Sequence, residues 1–308
     1  MSNIPLSPDS KYSADGGHTP VLLDDVLKFL LPFPGKNYID ATGGPGNMSR
    51  ALLERTGPRG RVMTIDCDPR ATEFQEKNLA IFGDNSVRVS GNFRDIQSLA
   101  KMYSFSEVDG ILFDLGVSSA MLDLADYGIS IRHDAPLDMR FDPSLKVNAR
   151  DLVNNLNENE LVEILKAMDE IRFARKIARA IIRSRDESPI ETTGRLADIV
   201  SKAVPRRFHP KKNHVATKTF LALRVKVNSE REALSEALMS CPDLLAANGV
   251  LVVICYSSFE DRIVKETWRG NRERLERLTK KPVTPSDEEI YANPRSRSAR
   301  LRAFRKIA

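Results

Sequence analysis

The sequence has few of the features that would build a cross-linked or membrane-spanning protein. It contains only three cysteines, Cys67, Cys241 and Cys255, an odd number with no C-x-x-C spacing. This excludes a disulfide scaffold and indicates a reducing compartment. Its longest apolar runs, such as residues 249–255, are far shorter than the roughly 20 residues of a membrane span. The first seventeen residues contain no arginine and two aspartates, which fits neither a signal peptide nor a transit peptide. We therefore expect a soluble intracellular protein.

The chain does contain enough apolar material for a folded core. Its 308 residues are 41% hydrophobic and 29% charged, which excludes a disordered chain and a fibre. This length corresponds to about two domains of average size, or to one large domain with an insertion. With 47 basic and 42 acidic residues, the net charge is only +5. The location of the charges therefore matters more than their sum.

Short apolar runs alternate with helical patterns in the first part of the chain. Strands are predicted at residues 38–42, 61–66, 87–90 and 109–115. This βαβ rhythm predicts an α/β fold with a parallel sheet and helices on both faces.

The rhythm changes after the fourth predicted strand. From residue 124 to residue 214 the apolar residues follow a helical period, which predicts a helical insertion because about 90 residues are too many for a βα loop. A helix over residues 219–247 and a fifth strand at 249–255 are then expected. We also expect one or two edge strands between residues 281 and 290.

A turn of small residues follows the first predicted strand. It reads Asp-Ala-Thr-Gly-Gly-Pro-Gly over residues 40–46, and small residues let the backbone approach a ligand at the carboxyl edge of a sheet. A dinucleotide loop would have a third glycine where this chain has Ser49. With Asp40 in front, the turn has the D-x-T-x-G-x-G pattern of enzymes that use S-adenosylmethionine (SAM), not nicotinamide.

Three predicted strands end in an aspartate, namely Asp40, Asp66 and Asp114. Helix capping or simple solvation is the alternative for each of them alone. Together, three carboxylates on one sheet edge predict a site for a cationic sulfonium cofactor and an incoming amine, with Asp66 placed to take the ribose hydroxyls of an adenosine. We expect no metal site, because His209 and His214 are isolated from other ligands.

Basic residues concentrate in two parts of the chain. Residues 172–218 hold thirteen basic and four acidic residues, and six basic residues follow Glu289 with no further acid. Such patches attract phosphates through counterion release, although a solvated helix face is the alternative. The pattern favours RNA as a partner. We expect no membrane partner, and the sequence allows a homodimer.

Several motifs occur in a fixed order along the chain. They are H-T-P-V-L-L-D-D at 18–25, Y-I-D-A-T-G-G-P-G at 38–46, I-D-C-D-P-R-A at 65–71, D-G-I-L-F-D-L-G-V-S-S at 109–119, P-L-D-M-R at 136–140, H-V-A-T-K-T-F at 214–220 and S-F-E-D-R-I-V-K at 258–265. Together they resemble the RsmH (MraW) family of ribosomal small-subunit RNA cytosine-N4 methyltransferases, over about residues 18–302.

The resemblance implies a Rossmann-like class I SAM-dependent methyltransferase sheet with a helical insertion domain. The methyltransferase domain would comprise residues 1–123 and 215–308, the latter with a basic tail, and residues 124–214 would form the insertion that meets RNA. Phe93 would lie against the adenine, and the segment 136–140 at the mouth of the active site. The predicted cofactor-binding residues are Asp40, Gly44, Gly46, Asn47, Met48, Asp66, Phe93, Asp114 and Met121. The predicted catalytic residues are Asp114, Asp138 and Arg140.

The chain departs from the family pattern at several of these positions. Asn47 and Met48 stand where the family usually has Gly-His, Met121 replaces a glutamine, and Cys255-Tyr256-Ser257 replaces Ser-Phe-His. Losing those side chains removes hydrogen bonds worth about 0.5–1.5 kcal/mol each. The alternative function is therefore an RNA-binding ribosome-assembly factor with weakened catalysis. The compartment would be the cytoplasm in a bacterium, or the mitochondrial matrix in a eukaryote.

Overall fold

The structure is a computed structural model that describes residues 20–117, 121, 124–167 and 172–308. Some of the predictions above fall outside these residues. They are the first two residues of the motif at 18–25, the two serines that end the motif at 109–119, and the predicted domain boundary at residue 123.

Within the described residues, seven strands form one sheet in the order β3-β2-β1-β4-β5-β7-β6. The strands are β1 (Asn37–Asp40), β2 (Arg61–Asp66), β3 (Ser86–Ser90), β4 (Val108–Asp114), β5 (Leu245–Cys255), β6 (Leu275–Arg277) and β7 (Arg300–Lys306). The first five strands pair in parallel, whereas β7 runs antiparallel to both β5 and β6. This arrangement confirms the predicted Rossmann-like α/β sheet.

The central strands are buried on both faces, which explains why they are almost continuously apolar in the sequence. Ile39 and Ile111 pack into one buried cluster, and their neighbours Tyr38 and Leu112 pack into a second cluster. Because successive side chains of a strand point to opposite faces, these clusters lie on the two sides of the sheet.

Helices cover the sheet and fill most of the chain between β4 and β5. They are α1 (Leu23–Leu30), α2 (Asn47–Thr56), α3 (Pro69–Leu79), α4 (Ile96–Met102), α5 (Ala149–Asn155), α6 (Glu158–Lys166), α7 (Ala174–Glu187), α8 (Thr193–Ala203), α9 (Thr217–Val227), α10 (Glu230–Leu244), α11 (Ser258–Gly270) and α12 (Asp287–Ala292). None of the described helices is long and apolar enough to cross a bilayer.

Helices α5 to α8 occupy the region that the sequence predicts as a helical insertion. Their buried residues, among them Val153, Ile177 and Leu196, belong to the same apolar cluster as Ile111 of the sheet. Helix α9 packs against α5 and α6. The helical segment therefore shares its core with one face of the sheet, and the division at residues 123 and 214 stays a prediction.

Two local predictions are wrong, and a third is confirmed with a longer strand. The helix expected over 219–247 is two helices, α9 and α10, because Ser229 adopts a left-handed conformation with φ 48° between them. The strand expected at 249–255 begins earlier, at Leu245. Its pairing with β4 is irregular between Val108 and Gly110. Residues 281–290 form no strand. Val283 makes a single bridge to Leu301, and the segment then enters α12, whose first turn is capped by Ser286.

The predicted basic tail is also corrected, because residues 300–306 form β7 inside the sheet. Arg302 is buried and bonded to the carboxylate of Asp261, with a distance of 2.5 Å from Nε to Oδ1. The ammonium of Lys306 donates to the carbonyl of Leu245 at 2.6 Å. Some of these cations therefore stabilise the sheet and are not free to bind phosphate.

Candidate active site

A cavity of about 420 Å³ opens at the carboxyl edge of the parallel strands. It is lined by residues of the glycine turn, of the ends of β2, β4 and β5, and of the starts of α2 and α11. They include Gly44, Asn47, Met48, Asp66, Phe93, Asp114, Met121, Tyr256 and Glu260. An open α/β sheet binds ligands at this edge. The cavity thus brings together seven of the predicted site residues.

The conformation of the glycine turn leaves no room for a larger side chain at Gly43. A Cβ atom at Gly43 would lie 2.3 Å from Cγ2 of Thr64, and Gly44 has a positive φ of 48°. The carbonyl of Gly44 accepts a hydrogen bond from Nε2 of Gln75 at 2.9 Å, and that of Pro45 accepts one from Asn78 at 2.8 Å. With these carbonyls occupied, the turn presents a fixed backbone surface to the cavity.

Gly46 starts the helix that follows the turn. It is the N-cap of α2 with φ 89°, and a Cβ there would lie 3.1 Å from Leu79. The residue itself does not line the cavity, whereas the next two residues, Asn47 and Met48, do so from the first turn of the helix. Gly46 therefore acts on the site by setting the start of α2.

Asp66 ends β2 with its carboxylate tied to the backbone on both oxygens. Oδ2 accepts the N–H of Gly44 at 2.7 Å, and Oδ1 accepts the N–H of Asp68 at 2.9 Å. Burial raises the pKa of Asp66 to about 6, although these two hydrogen bonds counteract the rise. The carboxylate is thus held in one orientation at the wall of the cavity.

Asp114 ends β4 on the next wall. Its N–H donates to Oγ1 of Thr42 at 2.6 Å, and its Oδ1 accepts the hydroxyl of Tyr256 at 2.9 Å. Burial raises the pKa of Asp114 to about 7, against the hydrogen bond from Tyr256 that lowers it. The second oxygen, Oδ2, has no hydrogen-bond partner among the described residues.

Asp40 lies beneath the cavity and does not line it. The side chain is fully buried, where Oδ2 accepts the hydroxyl of Ser49 at 2.7 Å and Oδ1 accepts the N–H of Thr42 at 3.2 Å. Burial raises the pKa of Asp40 to about 6. The register explains this position, because Asp40 pairs with Thr64 and Leu112, two residues before the acids that end β2 and β4.

Apolar side chains also line the cavity. Phe93 lines it and meets Phe113 edge to face, with ring centroids 5.8 Å apart. Met48 and Met121 are both buried and line the same space. The two methionines replace polar residues of the family pattern without filling the cavity.

Asp138 and Arg140 do not line the cavity. They form an ion pair with two hydrogen bonds, from Nε to Oδ1 at 2.7 Å and from Nη2 to Oδ2 at 2.8 Å. The guanidinium also donates to the carbonyls of Pro143 and Leu145. The next residue, Phe141, lines the cavity. The pair therefore shapes a loop that reaches the site through Phe141.

The sequence reasoning missed a group of residues that follow β5. Glu260 is buried at the cavity wall, and its Oε2 accepts the N–H groups of Tyr256 and Ser257 at 2.8 and 2.9 Å. Burial raises the pKa of Glu260 even with the charge of Arg224 nearby. The pairing of β5 with β4 could have indicated them, because neighbouring parallel strands end at the same edge of the sheet and the residues after β5 therefore lie near Asp114.

The electrostatics of the cavity suit a positively charged ligand. Asp66 and Asp114 face one space, and burial raises the pKa of both carboxyls. A cation bound between them would favour their ionised forms. In the described part of the chain, no group of three or more metal-binding side chains comes together.

Comparison with known proteins gives one family over nearly the whole chain. The sequence model of the MraW methylase family matches residues 15–307. The ribosomal RNA small subunit methyltransferase H of Heliobacterium modesticaldum is 43% identical and that of Thermomicrobium roseum is 44% identical. Each match covers 94% of this chain, and 98% and 94% of the respective relative. A putative rRNA methylase of Clostridium thermocellum is a solved structure with a TM-score of 0.44 and 14% identity, covering 92% of this chain and 95% of that one.

Proposed function

Because the chain belongs to the MraW methylase family and is a methyltransferase, we propose that it transfers the methyl group of SAM to N4 of a cytidine in small-subunit ribosomal RNA. The names of its relatives support the substrate class. The observation that carries the chemistry is the pair of carboxylates, Asp66 and Asp114, on two walls of one cavity.

The residues of the cavity fit SAM. Asp66 would take the ribose hydroxyls, Phe93 would lie against the adenine, and the turn at Gly44 would approach the ligand with its backbone. The carboxyls suit the positive charge of the sulfonium and ammonium groups. When bound, SAM supplies an electrophilic methyl group on sulfur. Asn47, Met48 and Met121 would complete the binding surface, while Asp40 and Gly46 would hold the turn from below.

Asp114 is the proposed catalytic residue. The free Oδ2 can accept an N–H bond from the exocyclic amine of cytosine, whose lone pair is otherwise delocalised into the ring. That hydrogen bond would favour a pyramidal N4 while the bond from N4 to the methyl carbon forms and the sulfur–methyl bond breaks to leave a neutral thioether, and the carboxylate would take the proton that N4 loses. Holding the nitrogen in line supplies much of the rate, up to about 7–11 kcal/mol in favourable cases.

Asp138 and Arg140 are proposed to act on the substrate side through their loop. Their ion pair fixes the segment that carries Phe141 into the cavity. The side-chain amide of Asn228 holds the same segment, since Nδ2 donates to the carbonyl of Met139 at 2.7 Å and Oδ1 accepts the N–H of Phe141 at 2.8 Å. A base would enter beside this loop, out of its stack.

An RNA-binding surface is proposed on the helical segment. Arg172 and Arg207 place their guanidinium groups 4.6 and 5.0 Å from the ring centre of Phe208, and Phe173 packs on that ring at 5.2 Å. Neither arginine is in an ion pair with any described residue. Exposed cations around aromatic rings suit phosphates and unpaired bases. We name this the arginine–phenylalanine cluster.

The alternative function, an assembly factor with weakened catalysis, is not favoured. Its basis was the departure from the family pattern at Asn47, Met48, Met121 and Ser257. The first three line the cavity and leave it open. Ser257 gains a defined role as the N-cap of α11, where its hydroxyl accepts the N–H of Glu260. The proposed partner is ribosomal RNA or the assembling small subunit. The proposed compartment is the bacterial cytoplasm, while the mitochondrial matrix and a homodimer stay predictions.

The proposed function is tested by nucleoside mass spectrometry of ribosomal RNA from a strain that lacks the protein. We expect N4-methylcytidine to disappear from small-subunit RNA and to return with the wild-type chain. Purified protein with SAM should restore the mark on small subunits taken from the deletion strain. Unchanged N4-methylcytidine in the deletion strain would refute the proposed substrate.

A further inference from the structure

Tyr256 directly contacts the proposed catalytic carboxylate. It is the first residue after β5, whose Ile254 pairs with Asp114 of β4. The tyrosine is therefore carried just beyond the end of β4, where its hydroxyl donates to Oδ1 of Asp114 at 2.9 Å.

The position of the ring is fixed by its surroundings. The N–H of Tyr256 donates to Oε2 of Glu260 at 2.8 Å, which ties the tyrosine to the first turn of α11. Gly116 lies on the other side with φ 107°, and a Cβ there would approach Cδ2 of the ring to 3.3 Å. The hydroxyl therefore meets Asp114 in a defined geometry and not as a mobile surface group.

We propose that Tyr256 is a positioning residue for methyl transfer, whose hydroxyl keeps Asp114 ionised and turned so that Oδ2 faces the cavity. The inference rests on the proposed role of Asp114. A donor on one carboxylate oxygen fixes the plane of the group and leaves the other oxygen for the incoming amine. It also stabilises the charged form, which is the form that accepts an N–H bond.

The charges around Asp114 make this hydrogen bond important. Burial disfavours the ionisation of Asp114, and the charges of Asp40 and of Glu260 on α11 add to this effect, so the pKa of Asp114 rises to about 7. Asp66 lines the same cavity, and the cation of Arg224 lies beside Glu260. The hydrogen bond from Tyr256 acts in the opposite direction and favours the ionised form. Burial and the charge of Asp114 raise the pKa of the tyrosine well above its ordinary value, so it stays a donor.

The test is Tyr256→Phe, which removes only the hydroxyl. We expect the pKa of Asp114 to rise by about one unit. Since SAM is a cation, its affinity should follow the ionised fraction. Calorimetry of SAM binding should then show a loss of about tenfold at pH 6, about fivefold at pH 7 and almost none at pH 9. The acid limb of kcat against pH should move upward by the same unit.

Tyr38→Phe is the matched control. That tyrosine is buried and donates its hydroxyl to the carbonyl of Leu31 at 3.3 Å, away from the cavity lining. We expect it to leave the pH dependence of SAM binding unchanged. Thermal unfolding of both variants checks that each one folds.

The outcomes separate this inference from the proposed function. Equal pH dependence in Tyr256→Phe and the wild type, or a loss of the same size at every pH, would overturn the role of Tyr256 whether or not RNA is methylated. If Tyr256→Phe shifts the pH dependence of SAM binding as expected, but the wild type leaves small-subunit RNA unmodified, the proposed function is refuted and the hydrogen-bond assignment is still supported.

Discussion

Acidic residues occur both at the carboxyl edge of the sheet and in the helical segment, but their surroundings differ. Asp66 and Asp114 sit at the cavity wall, bonded to backbone N–H groups or to a hydroxyl, and burial raises their pKa values. Both carboxylate oxygens of Asp138, in contrast, accept a hydrogen bond from the guanidinium of Arg140. An acid that faces a cavity without a bonded cation is available to a ligand, whereas an acid bonded to arginine holds a loop.

The arginines show the same contrast. Arg302 of β7 is buried and bonded to Asp261, and Arg224 of α9 is buried and bonded to Glu230 at two distances of 2.8 Å. In the helical segment, Arg172 is exposed and rests on phenylalanine rings. The first kind of arginine stabilises the fold, and the second kind is available to phosphates.

The largest effect is expected from Asp114→Asn, which removes the charge at the cavity and nearly preserves the shape of the side chain. We expect the methylation rate of small subunits to fall by about 100-fold or more, because an aimed electrostatic group in an active site is commonly worth that much. RNA affinity should be retained, and gel-shift titration alongside the methylation assay measures both. If RNA binding and methylation fell equally, the cavity at the sheet edge and the helical segment would not have the separate roles proposed for them.

An intermediate effect is expected from the arginine–phenylalanine cluster. In the double variant Arg172→Ala with Arg207→Ala, RNA affinity should fall about tenfold at 0.1 M salt, and the slope of log affinity against log salt should weaken by about one to two. SAM affinity should not change. The charge-matched control is Arg269→Ala with Arg272→Ala, both exposed near the end of α11. An equal loss in the control would show that net charge alone binds the RNA.

The smallest effect is expected from Asp138→Asn, which breaks the ion pair with Arg140. Partial burial alone would raise the pKa of Asp138, but the bonds and charge of Arg140 outweigh burial and lower it. Its contribution to stability is therefore present above the ordinary aspartate pKa and lost as the pH falls through the lowered value. We expect a loss of about 1 kcal/mol at pH 7 in urea unfolding, converging with the wild type in strong acid. Unchanged unfolding at pH 7 would argue against a loop-holding role.

Much of the sheet was predictable, because apolar runs and acidic strand ends are local signals. The first four strands lie within two residues of their predicted bounds. The break at Ser229 and the strand at residues 300–306 were not predicted. Ser229 adopts a left-handed conformation that serine rarely takes. The last strand carries Arg302 in its middle, and a charged residue becomes compatible with a buried strand only when a partner such as Asp261 meets it.

The sequence by itself determined that acids would end three strands of one sheet and that basic residues would gather on the helices between β4 and β5. Only the tertiary structure decided which acids reach the cavity. Strand register places Asp40 two residues short of the other two acids, so it is buried under the turn while Asp66 and Asp114 extend past it. The pairing of β5 with β4 brought Tyr256 to Asp114. Side chains 142 residues apart meet through strand pairing, and no local pattern in the chain encodes that meeting.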